Sequence, residues 1–177
     1  MKHLFPFLTT LMLLLFLNGC QNHSATGTVV SSDKDTEDKD APWIEGNKKI
    51  LNWESEEIEL FIKRYHWQME RTGTGLYIQI LQQGSGDKFV EGDKVNIEYQ
   101  TFLLSGEKIY DSKEDGIKTF TVDKSEEITG LHEAVKMLSP GATARLVIPT
   151  HLAYGVAGDG NKINGRLPIA MIIHIQK

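Results

Sequence analysis

A chain of 177 residues with 40% hydrophobic content has room for one ordinary domain with its own core, plus appendages. Its formal charge of −5 argues against a nucleic-acid surface, and its single cysteine, Cys20, excludes an intramolecular disulfide. The six histidines are scattered without ligand spacing, which predicts no metal, and no Ser-His or Cys-His pair has a third group to orient it as a hydrolase would need.

The chain opens Met1-Lys2-His3 and continues as an almost wholly apolar run over residues 4–17. That run is shorter than the roughly 20 residues a membrane-spanning helix needs. It fits the apolar core of a secretory signal peptide, residues 1–19. Leu17-Asn18-Gly19-Cys20 follows, and a small residue then Cys at this place resembles a bacterial lipobox, with Cys20 as the lipidated N-terminus. An ordinary signal peptide with an incidental cysteine is the alternative. Residues 20–42 then read as the lipidated cysteine and a flexible linker. Ser31-Ser32-Asp33-Lys34-Asp35-Thr36-Glu37-Asp38-Lys39-Asp40 cannot bury enough surface to offset its chain entropy. It also lacks the Gly and closing Glu of a calcium loop.

Between residues 53 and 71, Ile58, Phe61, Ile62, Tyr65 and Met69 recur at helical spacing, with Glu54, Glu56 and Glu57 near the start where the dipole favours them. The spacing predicts a helix that packs Tyr65 or Trp67 on the domain and ends at Thr72-Gly73-Thr74-Gly75, so that residues 43–75 form an N-terminal helical extension. From Leu76 the period switches to two. Residues 76–81 and 95–103 read as strands, and Ser105-Gly106 closes a hairpin returning through Lys108-Ile109-Tyr110. Thr129 is the expected N-cap of one short helix with the apolar stripe Leu131, Ala134, Val135 and Leu138. Strands over 143–148 and 169–176 complete an antiparallel α+β domain, the sheet wrapped around one short helix.

The run Pro149-Thr150-His151-Leu152-Ala153-Tyr154-Gly155-Val156-Ala157-Gly158 resembles the loop that walls the proline pocket of FKBP-type peptidyl-prolyl isomerases. Residues 76–177 are similar to that family along nearly their whole length. Val95-Asn96-Ile97-Glu98-Tyr99 resembles the strand carrying the first pocket tyrosine, Tyr110-Asp111-Ser112 its Phe-Asp-Ser segment, and Glu126-Glu127-Ile128-Thr129-Gly130-Leu131 the entry to the pocket-floor helix. The helix ending in Thr-Gly-Thr-Gly-Leu, the phrase Tyr154-Gly155-Val156-Ala157-Gly158-Asp159-Gly160-Asn161-Lys162-Ile163 and the lipoprotein start further resemble the gliding motility-associated FKBP-type lipoproteins of the Bacteroidota.

The resemblance implies an isomerase that needs no cofactor and acts on proline-containing protein clients. Tyr99, Asp111, Ile128 and Tyr154 carry the catalytic roles: the Tyr154 hydroxyl and the Ile128 N–H hold client carbonyls, and Asp111 sits at the rim against the twisting amide. Tyr110, Phe120, Glu127, Leu131, Ile163 and Met171 complete the pocket, with Leu131 as floor where the family has Trp, and Asp159 adds a charge at the mouth. Taken singly, Tyr99, Leu131 and Met171 read as core residues, and Asp111 as a turn residue; their joint order carries the functional reading. The resemblance implies folding assistance at the cell envelope by a lipid-anchored protein facing periplasm or cell surface, possessed of no nucleic-acid partner. A non-catalytic chaperone or scaffold using the same pocket is the alternative.

Overall fold

The computed structural model describes residues 42–177; Cys20 and the segments read above as signal peptide and linker lie outside the described residues. Helix α1 runs Pro42–Arg64, with Glu45 in its first turn and Lys63 and Arg64 in its last, charges that suit the helix dipole. It therefore starts and stops earlier than the periodicity suggested. Its end is a left-handed residue: His66 has φ 52°, His66 N–H donates to Lys63 O at 3.2 Å and Trp67 N–H to Ile62 O at 3.0 Å. This is the Schellman arrangement, with histidine in the place where glycine is usual.

Among the described residues, seven antiparallel strands form one sheet. They are β1 (Glu70–Arg71), β2 (Tyr77–Gln82), β3 (Lys94–Leu103), β4 (Lys108–Asp111), β5 (Lys118–Thr121), β6 (Thr143–Ile148) and β7 (Ile169–Ile175), in the order β1-β2-β6-β7-β3-β4. The ten-residue β3 serves two partners along one edge: Lys94 to Ile97 pair with β5, and Gln100 to Phe102 with β4. Between β4 and β5 lies a short helix, α2 (Ser112–Asp115), which no apolar pattern announces.

The sheet wraps around α3 (Thr129–Lys136), whose Leu131, Ala134 and Val135 have no exposed surface. The N-cap of α3 is Ile128, without a side-chain cap, so Thr129 does not play the part expected of it. Gly130 lets the first turn of α3 approach closely: a Cβ there would stand 2.5 Å from Ile148 Cγ2 and 3.2 Å from Leu152 O. That approach fixes where the backbone of Ile128 lies.

Both faces of the sheet are covered. Ala144, Leu146 and Ile148 of β6, with Ile169, Met171, Ile173 and Ile175 of β7, face α3 in one core. The alternate residues Val147 and Ala170 join Tyr77 and Leu104 in a second core that Ile58 and Phe61 of α1 close. Trp67 and Met69 pack on this second core from the chain beyond the helix, and Trp67 meets Phe61 edge-on at 5.2 Å. Tyr65 is 44% exposed, so Phe61 carries the docking in its stead.

Candidate active site

Three half-buried tyrosines from three separate elements pack on the α3 core: Tyr99 of β3, Tyr110 of β4 and Tyr154 of the loop after β6. Register brings the first two together, because Thr101 pairs with Tyr110 on one side and with Met171 on the other. Ile128, Phe120, Met171 and Ile163, expected in the pocket wall, retain only 8%, 4%, 3% and 2% of their surface and belong to the core on which this cup of tyrosines packs. Leu131, expected as the pocket floor, has no exposed surface and lies within that same core.

The hydroxyl of Tyr154 makes no hydrogen bond to another described residue. Burial, then the carboxylates of Glu127 and Asp159, push its phenol above the ordinary 10.0, so it stays a protonated donor at any working pH. The Tyr99 phenol is raised too, by burial and then by Asp115, Glu127 and Asp111.

The second expected donor is engaged. Ile128 N–H donates to Glu127 Oε1 at 3.0 Å, while Glu127 Oε2 pairs with Lys118 Nζ at 2.7 Å. Lys118 Nζ lies 5.4 Å from the centre of the Tyr99 ring, which sets the pair at the edge of the cup.

Asp111 is turned away from the place expected of it. It stands opposite Gln100, one residue along from Tyr110, and successive strand residues point to opposite faces. Its Oδ2 accepts from Gln100 Nε2 at 2.8 Å and Lys108 Nζ at 2.7 Å, and its Oδ1 from the Lys113 N–H at 3.0 Å, capping α2. It shares a hollow of about 130 Å³ with Gln100, Ile172 and His174, to which Tyr99 also contributes. The hydrogen bond from Lys108, then those from the Lys113 N–H and Gln100, hold its carboxyl well below its ordinary 3.8. A depressed carboxylate stabilises the fold fully above its unfolded value and loses that contribution as pH falls beneath it. Thermal melts between about pH 5 and 3 should therefore show a steeper loss of Tm for wild type than for Asp111→Asn. Parallel curves would show that these contacts do not favour the ionised form.

Asp159 is likewise committed. The Tyr110 hydroxyl donates to its Oδ2, and the N–H groups of Asn161 and Ile163 donate to its Oδ1 at 2.9 and 2.8 Å. Burial pushes its carboxyl up, but these bonds outweigh that and leave it below its ordinary value. The charge at the mouth thus latches the loop to Tyr110. Close self-packing requires Gly165, where a Cβ would fall 1.9 Å from Val156 O.

His132, assigned no role from the sequence, is buried: it accepts the Asp123 N–H at Nδ1 (3.0 Å), lies 3.2 Å from Ser125 O and meets Phe120 edge-on. It thereby pins the β5–α3 connection. No cluster of metal-ligating side chains occurs among the described residues. A separate cleft of about 530 Å³ lies between α1 and the segment from Thr150 to Pro168; it includes Gly155 but none of the expected pocket residues.

Comparison with known proteins bears directly on this arrangement. The family model described as FKBP-type peptidyl-prolyl cis-trans isomerase matches residues 86–175. The chain is 29% identical over 143 residues to the probable FKBP-type peptidyl-prolyl cis-trans isomerase FkpA of Neisseria meningitidis serogroup B, covering 80% of this chain and 52% of that protein. It is 32% identical over 102 residues to the outer membrane protein MIP of Legionella longbeachae, covering 58% and 43%. The chain thus spans about half the length of these curated relatives. The crystal structure of FkpA from Escherichia coli is similar with a TM-score of 0.62 at 25% identity, over 76% of this chain and 63% of that one.

Proposed function

This chain belongs to the FKBP-type peptidyl-prolyl cis-trans isomerase family, and we propose on that premise that it isomerises Xaa-Pro bonds of exported proteins at the cell envelope. The observation that carries the reading is the cup of Tyr99, Tyr110 and Tyr154 on the α3 core, with the Tyr154 hydroxyl uncommitted.

Amide resonance opposes rotation with a barrier of about 18–20 kcal/mol, and the twisted amide has lost the resonance dipole. An aromatic, water-poor cup disfavours the dipolar planar form relative to the twisted one. A thousandfold acceleration asks for only about 4 kcal/mol of such preference. The Tyr154 hydroxyl orients a client carbonyl, and the Ile128 N–H does so once Glu127 has moved off it. No step uses a titrating base.

The envelope setting is supported by the signal peptide and lipobox resemblance and by the printed name of the Legionella relative. No helix among the described residues is long and apolar enough to cross a membrane. We assign attachment to a lipid on Cys20, and we rest a link to gliding motility on the resemblance of the helix end, the phrase from Tyr154 to Ile163 and the lipoprotein start taken together. The second reading, a non-catalytic chaperone or scaffold, is favoured by Glu127 standing on the Ile128 donor.

Refolding of a protein whose slow phase is limited by prolyl isomerisation separates the two. Substoichiometric amounts of this protein should speed the slow phase, with little change between about pH 6 and 8 because no group titrating there has a role. A higher yield at an unchanged rate would establish the chaperone reading instead.

A further inference from the structure

We propose that Glu127 makes this site selective for clients carrying lysine or arginine beside the proline, by occupying the Ile128 donor until a client cation draws it away. The inference rests on the isomerase reading and names the clients that reading would serve.

A helix start leaves backbone N–H groups without partners, and Ile128 stands at the N-cap of α3 with no side-chain cap of its own. The carboxylate of Glu127 takes up that N–H at 3.0 Å. Its other oxygen is held by Lys118 at 2.7 Å, and the two side chains are 11% and 25% exposed. A client carbonyl reaches the Ile128 N–H only by displacing a charge-assisted hydrogen bond, the stronger kind. Once the N–H is taken by the client, Lys118 is the one partner among the described residues that remains to the carboxylate.

The client's own side chain decides what happens next. An uncharged neighbour of the proline offers Glu127 nothing in exchange for the lost N–H. A lysine or arginine offers a second cation and restores the count of donors. An aspartate or glutamate meets Glu127 directly, at a Lys118 already neutralised by it. The wider field has the same sign: the electrostatic causes that raise Tyr99 are Asp115, Glu127 and Asp111, and those that raise Tyr154 begin with Glu127 and Asp159. Lys162, the other cation by the cup, lies 5.1 Å from the centre of the Tyr110 ring, beside the latched Asp159.

The test compares wild type, Glu127→Gln and Glu127→Ala on short peptides with Lys, Leu or Glu placed on either side of one proline. Isomerisation rates and peptide affinities are both measured, the latter by fluorescence anisotropy. Wild type should favour Lys over Glu by about tenfold in at least one placement, a preference that shrinks with added salt. Glu127→Gln keeps an acceptor near the N–H but removes the charge, and should reduce the preference to about threefold or less. Glu127→Ala frees the donor and should raise the rate on the Leu peptides several-fold. A wild type that accelerates all the peptides alike, or a Glu127→Gln protein with the preference intact, would overturn the proposal while leaving the isomerase reading in place. A wild type that accelerates none would defeat that reading, and the affinities would then decide the charge preference separately.

Discussion

Phe61→Ala is expected to destabilise the protein by about 3–5 kcal/mol, as much as a truncation in the centre of the main core. Phe61 and Ile58 are 3% and 2% exposed and close the second core over Tyr77, Leu104, Val147 and Ala170. Removing the ring leaves a cavity against strands β6 and β7, whose other face carries the α3 core, so the damage is not confined to an appendage. Trp53→Ala on the same helix is the control: Trp53 is 67% exposed, and its loss should change stability by about 0.5 kcal/mol or less. Urea denaturation of both variants measures this. A Phe61→Ala protein as stable as wild type would mean that α1 rests on the domain without contributing to it.

Tyr154 carries the largest expected effect on rate. Tyr154→Phe removes only the uncommitted hydroxyl, a single hydrogen bond to the client worth about 1 kcal/mol, and should lower kcat/KM by about five- to tenfold. Tyr154→Ala also removes one of the three aromatic walls, and a loss of about 2–3 kcal/mol corresponds to roughly a hundredfold. Because the ring packs on the α3 core, melting curves must accompany the rates. A Tyr154→Phe protein with the full wild-type rate would show that the hydroxyl does not meet the client.

Much of this architecture is legible from period and punctuation. The strand over 143–148 is found with those bounds, and the stripe Leu131, Ala134, Val135 and Leu138 is buried as its spacing implies. The end of α1 was not legible, because periodicity cannot show that His66 leaves the helical region and Met69 reaches the same core from outside the helix. The N-cap of α3 was misread for a related reason: Thr129 has a capping side chain, but it already lies within the helix.

The site divides along the same line. Tyr99, Tyr110 and Tyr154 all pack on the α3 core; it was the family resemblance that grouped them, since apolar alternation says nothing of a loop residue such as Tyr154. The polar groups depend on register and on contacts that have no period. The stretch from Lys113 to Lys118 offers no arginine to pair with Asp111; its cation is Lys108, three residues earlier on β4. Glu127 reaches back to the N–H of its own neighbour, and Asp159 to a phenol 49 positions away. None of these can be read from spacing alone.

The central claim is that this cup catalyses rotation about the prolyl bond. Exchange spectroscopy by NMR on a short Leu-Pro peptide, with a catalytic amount of the purified protein, addresses it most directly. The account predicts that cis–trans exchange rises in proportion to protein concentration and falls about five- to tenfold with Tyr154→Phe. Exchange that stays at the rate of free peptide, in the presence of folded wild-type protein that binds the peptide, would contradict it.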